Sequence, residues 1–443
     1  MEQQSCFREF VRYTVLSVLG TVGVSCYVLA DVFFVSKGLG AGGLAAMNLA
    51  IPIYNFIHGT GLMLGMGGAT KFSVCKSQGN REAASKIYTN AVYLAILFSS
   101  VFLALGFFCA ERMSLLLGAD ASVLEMTSTY LRWLLLFSPA FIFNDVLLCF
   151  VKNDEDPQLA MIAMTTGSFA NILLDYLFIF PMRMGIFGAI LATGISPLIS
   201  IALMARHWIK KKNSFQLVRT GLSAELVKWE LSLGFPSLLT QLSSGIVMIT
   251  FNGIILKLAG NTGVAAYGIV ANISIVAVAV YTGVAQGVQP LVSRFHGLRD
   301  SRQVQAVLRY AMTTILALSG ILYLVIFVFT QPIAAAFNSE NHPGLQAIAM
   351  TGLRLYFLSG PFVGHNITLA TFFTSIEKAL PAHILSLLRG FVLMIPAAFL
   401  LSFLWDMTGV WLAYPATEGI VALLGAMLLK NVMKSDPPAG ENN

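Results

Sequence analysis

In the stretch FANILLDYLF, Asn171 and Asp175 stand four residues apart, so on a helix both side chains leave the same face. Asp31 sits in a second apolar stretch and Thr193 in a third, GAILATGIS. If the helices that carry them line one bundle, the four converge and supply two carboxylates, an amide oxygen and a hydroxyl. These are hard oxygen donors, suited to an alkali cation such as Na+ and unsuited to a soft metal. Two neighbouring carboxylates can instead share one proton. Either way the chemistry is reversible loading of a small cation, with no bond made or broken.

Two more acids lie inside apolar stretches, Asp145 in FNDVLLCFVKNDEDP and Glu418 in YPATEG. A charge at the centre of a membrane helix costs at least ~2.5–3.5 kcal/mol, so each such residue needs a reason to be there. Asp145 stands close to the cytoplasmic end, where simple hydration accounts for it as well as cavity lining does, and for Glu418 a structural hydrogen bond is the alternative to cavity lining. His58 and His365 also fall within spans, and for them cavity lining and structural hydrogen bonding are the alternatives. Asp145, His58 and Glu418 are therefore carried forward as cavity-lining candidates.

Other signals lead nowhere. The run from Gly38 to Gly43 matches GxGxxG but belongs to no strand–turn–helix unit. There is no HExxH, GxSxG or P-loop, so neither an enzyme nor a bound cofactor is expected. Any pumping must then draw on an ion gradient. The five cysteines (Cys6, Cys26, Cys75, Cys109, Cys149) contain no CxxC pair and read as small apolar residues without a disulfide framework.

The elements that must position these residues follow from composition. Hydrophobic residues make up 57% of the 443 and charged residues 11%, where a soluble chain carries roughly 25% charge. Mean hydropathy is +0.77. An aqueous fold cannot bury that much apolar surface, so the fold class is an all-α integral membrane protein whose partner is the lipid bilayer. Runs of about 20 apolar residues give twelve transmembrane helices, roughly 14–36, 43–70, 87–110, 124–151, 158–181, 185–207, 231–257, 264–291, 306–332, 346–373, 381–404 and 408–432. The longest polar break divides a first lobe, 1–207, from a second, 231–433, through a linker at 208–230, with a short tail at 434–443. Lys and Arg number 20 in the termini and even-numbered loops against 4 in the odd-numbered ones, which predicts two cytoplasmic termini. The same asymmetry accounts for the net charge of +6 without any nucleic-acid partner.

The halves repeat. GLAAMNLAIPIYNFIHGTGLMLGMGG before SQGNREAA is echoed by GVAAYGIVANISIVAVAVYTGVAQGV before FHGLRDSRQ. Ala46 matches Ala266, Gly79 matches Gly297, and Gly188 matches Gly409. Six is an even number of crossings, so the two six-helix lobes form a parallel pseudo-twofold repeat, the arrangement of transporters that rock two lobes about a central cavity.

The chain resembles the multidrug and toxic compound extrusion (MATE) family. The resemblance is carried by ADVFFVSKGLGAGGLAAMNLAIP, NILLDYLFIF with GIFGAILAT, GVAQGVQPLVSRFHG, and FTSIEKALPAHILSLLRG with GVWLAYPATE. Within the family it is similar to the DinF-like/MepA-like branch, whose amino-terminal cation site implies that role for Asp31, Asn171, Asp175 and Thr193. Helices 7 and 10 carry no acid. The resemblance implies a monomeric exporter of amphipathic, often cationic compounds in the cell (inner) membrane, an antiporter driven by inward H+ or Na+ through alternating access. The alternative is a lipid-linked oligosaccharide flippase of the same superfamily, for which Arg389 is the one deep basic candidate. Helix 7 has Pro236, sixteen residues before Asn252, the expected mate of Asp31. The matching place in helix 1 is Val15, where many relatives have proline, so Gly20 and Gly23 are left as its bending points.

Overall fold

The computed structural model describes residues 2–338 and 342–435. Most of the predicted tail at 434–443 lies outside them. Among the described residues there is no strand. The described residues form fifteen α-helices: α1 Glu2–Ser77, α2 Arg81–Phe108, α3 Ala110–Leu116, α4 Leu124–Leu136, α5 Ser138–Asn153, α6 Pro157–Ile179, α7 Gly185–Met204, α8 Arg206–Ile209, α9 Ala224–Gly297, α10 Ser301–Val328, α11 Thr330–Ala336, α12 Pro343–Tyr356, α13 Gly360–Ser375, α14 Ala379–Leu387 and α15 Met394–Ser435.

Among the described residues seven stretches are long and apolar enough to cross a membrane, and the bent pair α4–α5 makes an eighth. Three of the seven are too long for one crossing. α1 breaks at Gly40, α9 breaks at Gly260, and α15 breaks at Trp405–Asp406. Dividing them there, and pairing α12 with α13, gives the twelve crossings. Phe108, Leu116 and Phe403 are each more than four-fifths exposed, which suits lipid and not water.

The repeat is written in the backbone. Gly40 (φ 68°, ψ −158°) and Gly260 (φ 60°, ψ −158°) make the same bend 220 residues apart. α10 begins and ends 220 residues after α2, and α11 does the same after α3. Asn80 caps α2 through the Ala83 amide, and Asp300 caps α10 through the Gln303 amide. This register corrects two pairings. The mate of Gly79 (φ 79°) is Arg299 (φ 58°) and not Gly297, because the tight turn before each cap needs a left-handed residue there. The mate of Asp31 is Phe251, not Asn252.

The chain divides into two compact units. The amino-terminal unit is Leu19–Leu242, and the carboxy-terminal unit is Met1–Val18 with Ser243–Asn443. These bounds differ from 1–207 and 231–433 because the first part of α1 belongs with the second unit and the first part of α9 with the first. Each unit has its own apolar core. Phe72, Phe141, Phe150 and Leu131 lie in that of the first unit, and Trp411, Phe251, Phe372 and Phe373 in that of the second.

The stretch at 208–230 is pinned rather than free. Phe215 is fully buried among Phe72, Tyr88, Phe150 and Trp208. The Val218 amide donates to Thr89 Oγ1, the Ser223 amide to Asn90 Oδ1, and Tyr93 Oη to the Thr220 carbonyl. Asp154, the C-cap of α5, accepts from Lys76 Nζ (2.8 Å), the Ser214 amide (2.7 Å) and the Ser214 hydroxyl, and bonds His207 Nε2 (2.8 Å). Burial pushes this carboxyl up, but the bonds from His207, Lys76 and Ser214 outweigh it and hold it below its ordinary value.

The cysteines are free. Cys6 and Cys149 are buried as expected, whereas Cys26 is exposed.

Candidate functional site

Three helices of the amino-terminal unit carry the candidate residues: α1 before its break (Asp31), α6 (Asn171, Asp175) and α7 (Thr193). Small residues bring these helices together. A Cβ on Gly38 would lie 2.2 Å from the Ile179 side chain, and one on Gly20 would lie 2.9 Å from Met164 Sδ. Gly20 and Gly23 therefore let α1 approach α6. Both are helical in this structure, and the non-helical residue of α1 is Gly40. Between α6 and α7, Ser196 Oγ donates to the Gly167 carbonyl (2.7 Å) and Ser200 Oγ to the Ala163 carbonyl (2.8 Å). These bonds fix the rotation at which Thr193 faces Asn171 and Asp175.

The four side chains are all buried. With the Asn171 amide oriented as its neighbours require, its nitrogen donates to Asp175 Oδ2 (3.0 Å) and its oxygen accepts from the Thr193 amide (3.3 Å). The carboxylates of Asp31 and Asp175 lie within electrostatic reach of each other. Tyr130 on α4 bonds Thr193 and feels both aspartates. Asp31 Oδ1 and Asp175 Oδ1 are buried without a protein hydrogen-bond partner. Buried polar atoms are normally paired, so an orphaned carboxylate oxygen on each of two helices of one unit calls for a partner that the protein does not supply. Among the described residues no cluster of three His, Cys, Asp or Glu side chains could hold a metal. The donors at this pocket are oxygens, which fits H+ or Na+ and no transition metal.

The remaining candidates fall elsewhere. His58 and Asp145 meet in the same unit, with Nδ1 to Oδ2 at 2.9 Å. Glu418 lies in the carboxy-terminal unit, where Arg389 reaches Oε1 through Nε (3.1 Å) and Nη2 (2.9 Å), and Asn366 Nδ2 donates to Oε2 (2.7 Å). Both its oxygens are satisfied, so it is a charge-neutral knot. The guanidinium of Arg389 is spent on it rather than offered to a ligand.

Three residues escaped the sequence. Tyr130 and Tyr27 stand in apolar runs where nothing marks their hydroxyls, yet Tyr130 bonds Thr193 and Tyr27 bonds Tyr54. Glu230 sat at the edge of the polar break, yet it is fully buried with neither carboxylate oxygen paired. Gly67 and Gly234 explain the burial. A Cβ on Gly67 would lie 2.0 Å from the Glu230 carbonyl, and one on Gly234 would lie 1.7 Å from the Met63 carbonyl, so α1 and α9 touch backbone to backbone.

The comparisons with known proteins agree with this architecture. The family model described as MatE matches residues 17–177 and 236–400. The chain is 23% identical to the multidrug export protein MepA of Staphylococcus saprophyticus, across 98% of this chain and 95% of that one. It is 24% identical to an FAD transporter of Shewanella oneidensis, across 94% and 92%. Among solved structures, an outward-facing multidrug resistance MATE family transporter of the MOP superfamily superposes with a TM-score of 0.91 at 23% identity, covering 97% of this chain and 96% of that one.

Proposed function

The chain belongs to the MATE family of membrane transporters, and from that premise we propose that it exports amphipathic organic cations in exchange for inward flow of H+ or Na+. The coupling cation binds between Asp31 and Asp175, with Asn171 and Thr193 completing its oxygen shell. The observation that carries this reading is the pair of buried carboxylates on different helices, each with an oxygen that no protein group satisfies. Loading that pair stabilises one arrangement of the transporter and lowers its affinity for the organic compound. Unloading favours the other, and the coupling needs only that difference in affinity. Both termini are cytoplasmic, the side that the Lys and Arg distribution selects.

The export of many compounds is the activity named for the Staphylococcus relative. Related chains act as transporters, and no nucleophile–base pair in this pocket suggests catalysis. A flippase would need free basic groups for a diphosphate, and the pairing of Arg389 with Glu418 removes its one deep candidate. The test is ethidium efflux from proteoliposomes with a pH gradient or a sodium gradient imposed separately. One gradient drives efflux and Asp31→Asn abolishes it. Full efflux by that variant would remove the assignment.

A further inference from the structure

The first part of α9 and the first part of α15, each before its break, line a groove of about 460 Å³ in the carboxy-terminal unit. That size suits a small amphiphile, since ligand pockets run from ~300 to ~1,000 Å³. The α15 wall includes Phe399 and Phe403, both exposed, so the groove opens where lipid lies. The α9 wall includes Gly253, which is helical and whose Cβ, if it had one, would meet nothing within 4 Å. Neither conformation nor packing asks for glycine there, and glycine weakens a mid-helix position relative to alanine. What it supplies is room. Counting back the 220 residues of the repeat, its mate is Phe33, whose ring packs on Phe34 (centroids 5.6 Å apart). One repeat sets an aromatic ring where the other leaves space. The groove also carries a single charge. Thr250 Oγ1 donates to the Ile246 carbonyl (2.9 Å) and Ser402 Oγ to the Phe399 carbonyl (3.0 Å). Lys257 is exposed, and among the described residues no acid pairs with it. It stands on the side of the membrane that holds 4 Lys and Arg against 20, so topology does not call for it.

We infer that this groove binds an anionic phospholipid, with an acyl chain over Gly253 and the phosphate on Lys257 Nζ. Lysines near helix ends carry their ammonium to headgroup level, which is where a lipid phosphate lies. Apolar walls with one cation match an amphiphile whose charge is negative and terminal. The organic cations of the exchange reading have the wrong sign for Lys257, so the groove is no second seat for them. A zwitterionic lipid fits the walls, but its own choline neutralises the phosphate that the lysine would hold. Bound there, the anionic lipid bridges α9 and α15 within one unit. The inference stands apart from which compound the chain exports and which cation drives it. The repeat supplies its own control. Lys37 is the mate of Lys257, and Phe33 occupies the place of Gly253, so Lys37 has the charge without the cleared space.

The experiment labels the full chain in lipid nanodiscs with phosphatidylglycerol or phosphatidylcholine bearing the same photoreactive acyl chain, and maps the crosslinked peptides. Phosphatidylglycerol should mark 249–258 and 399–403 about fivefold more than phosphatidylcholine does, the preference that one lysine gives at an anionic membrane surface. Lys257→Gln should bring the two lipids level at these segments. Gly253→Phe installs the ring of the other repeat and should remove both labels there. Its side chain points into open space, so the variant should fold; if it does not, Lys257→Gln decides alone. Lys37→Gln should leave the pattern as in wild type. Equal labelling by the two lipids in wild type, or a phosphatidylglycerol preference that survives Lys257→Gln, overturns the inference and leaves only ordinary boundary lipid. Displacement of the label by ethidium overturns it as well, because the groove would then take organic cations.

Discussion

Single side chains divide into those that are satisfied and those that are not. Glu418 is satisfied, held by Arg389 and Asn366. Removing one partner of a buried ion pair strands the other, so Glu418→Ala should destabilise the protein by about 3–5 kcal/mol. Replacing both Glu418 and Arg389 by Met should recover most of the loss, and thermal unfolding of the purified protein reads both. A deficit in the double variant equal to that in the single one would show that the pair does more than neutralise itself. Asp154 supports a prediction about pH. Its folded value lies below its unfolded one, so its bonds stabilise fully above the ordinary carboxyl value near ~3.9. The stabilisation is lost as pH falls through the lowered folded value. Asp154→Asn should therefore expose Lys210, Lys211, Lys212 and Arg219 to trypsin at neutral pH, as strong acid would loosen them in the wild type. Unchanged cleavage in the variant would mean that Phe215 and the bonds from Thr89, Asn90 and Tyr93 anchor the segment without Asp154. Asp31 and Asp175 belong to the unsatisfied class and were legible from sequence, because a charge in the middle of an apolar run has no cheap explanation. Glu230 was not, because it stood where polar residues are ordinary and only the depth of the α1–α9 contact buries it.

At the scale of elements, glycine decides where helices break and where they touch. Gly40 sits at φ 68° and ψ −158° with open space around it. Conformation alone requires glycine there, and Gly40→Ala should cost about 1–3 kcal/mol. Gly67 is the opposite case, regular in conformation but against a carbonyl. Gly67→Ala pushes backbone from backbone and should cost at least about 1–3 kcal/mol. The two differ in consequence. Separating α1 from α9 also hydrates Glu230, so the Gly67 variant should expose buried surface to hydrogen exchange along both helices, whereas the Gly40 variant should change exchange only around the bend. The repeat was legible because offsets of GLAAMNLA-like strings survive drift. Its register was not fully legible. Arg299 takes a left-handed conformation that the sequence gives no reason to expect, so Gly297 looked like the match to Gly79. The anchoring of 208–230 was hidden for a similar reason. Polar composition reports exposure on average, and a single Phe215 in an aromatic pocket overrides it.

For the molecule as a whole, twelve crossings in two repeats were readable from hydropathy, whereas the exchange of leading segments between the two compact units was not. Hydropathy finds crossings but carries no information on which neighbours a helix half chooses, and α1 and α9 each divide their length between two cores. The repeats share a backbone and differ in chemistry. The amino-terminal unit holds carboxylates with free oxygens, and the carboxy-terminal unit holds the Arg389 guanidinium tethered to Glu418. On the proposed reading function is asymmetric on a symmetric frame, with cation loading assigned to the amino-terminal unit. The most direct measurement counts the cation itself. Sodium binding and proton exchange are determined on purified wild type, Asp31→Asn, Asp175→Asn and the double variant. Each single variant should lose the same one cation, and the double variant should lose no more. Single variants that retain the full complement, or losses that add in the double variant, would contradict a shared site.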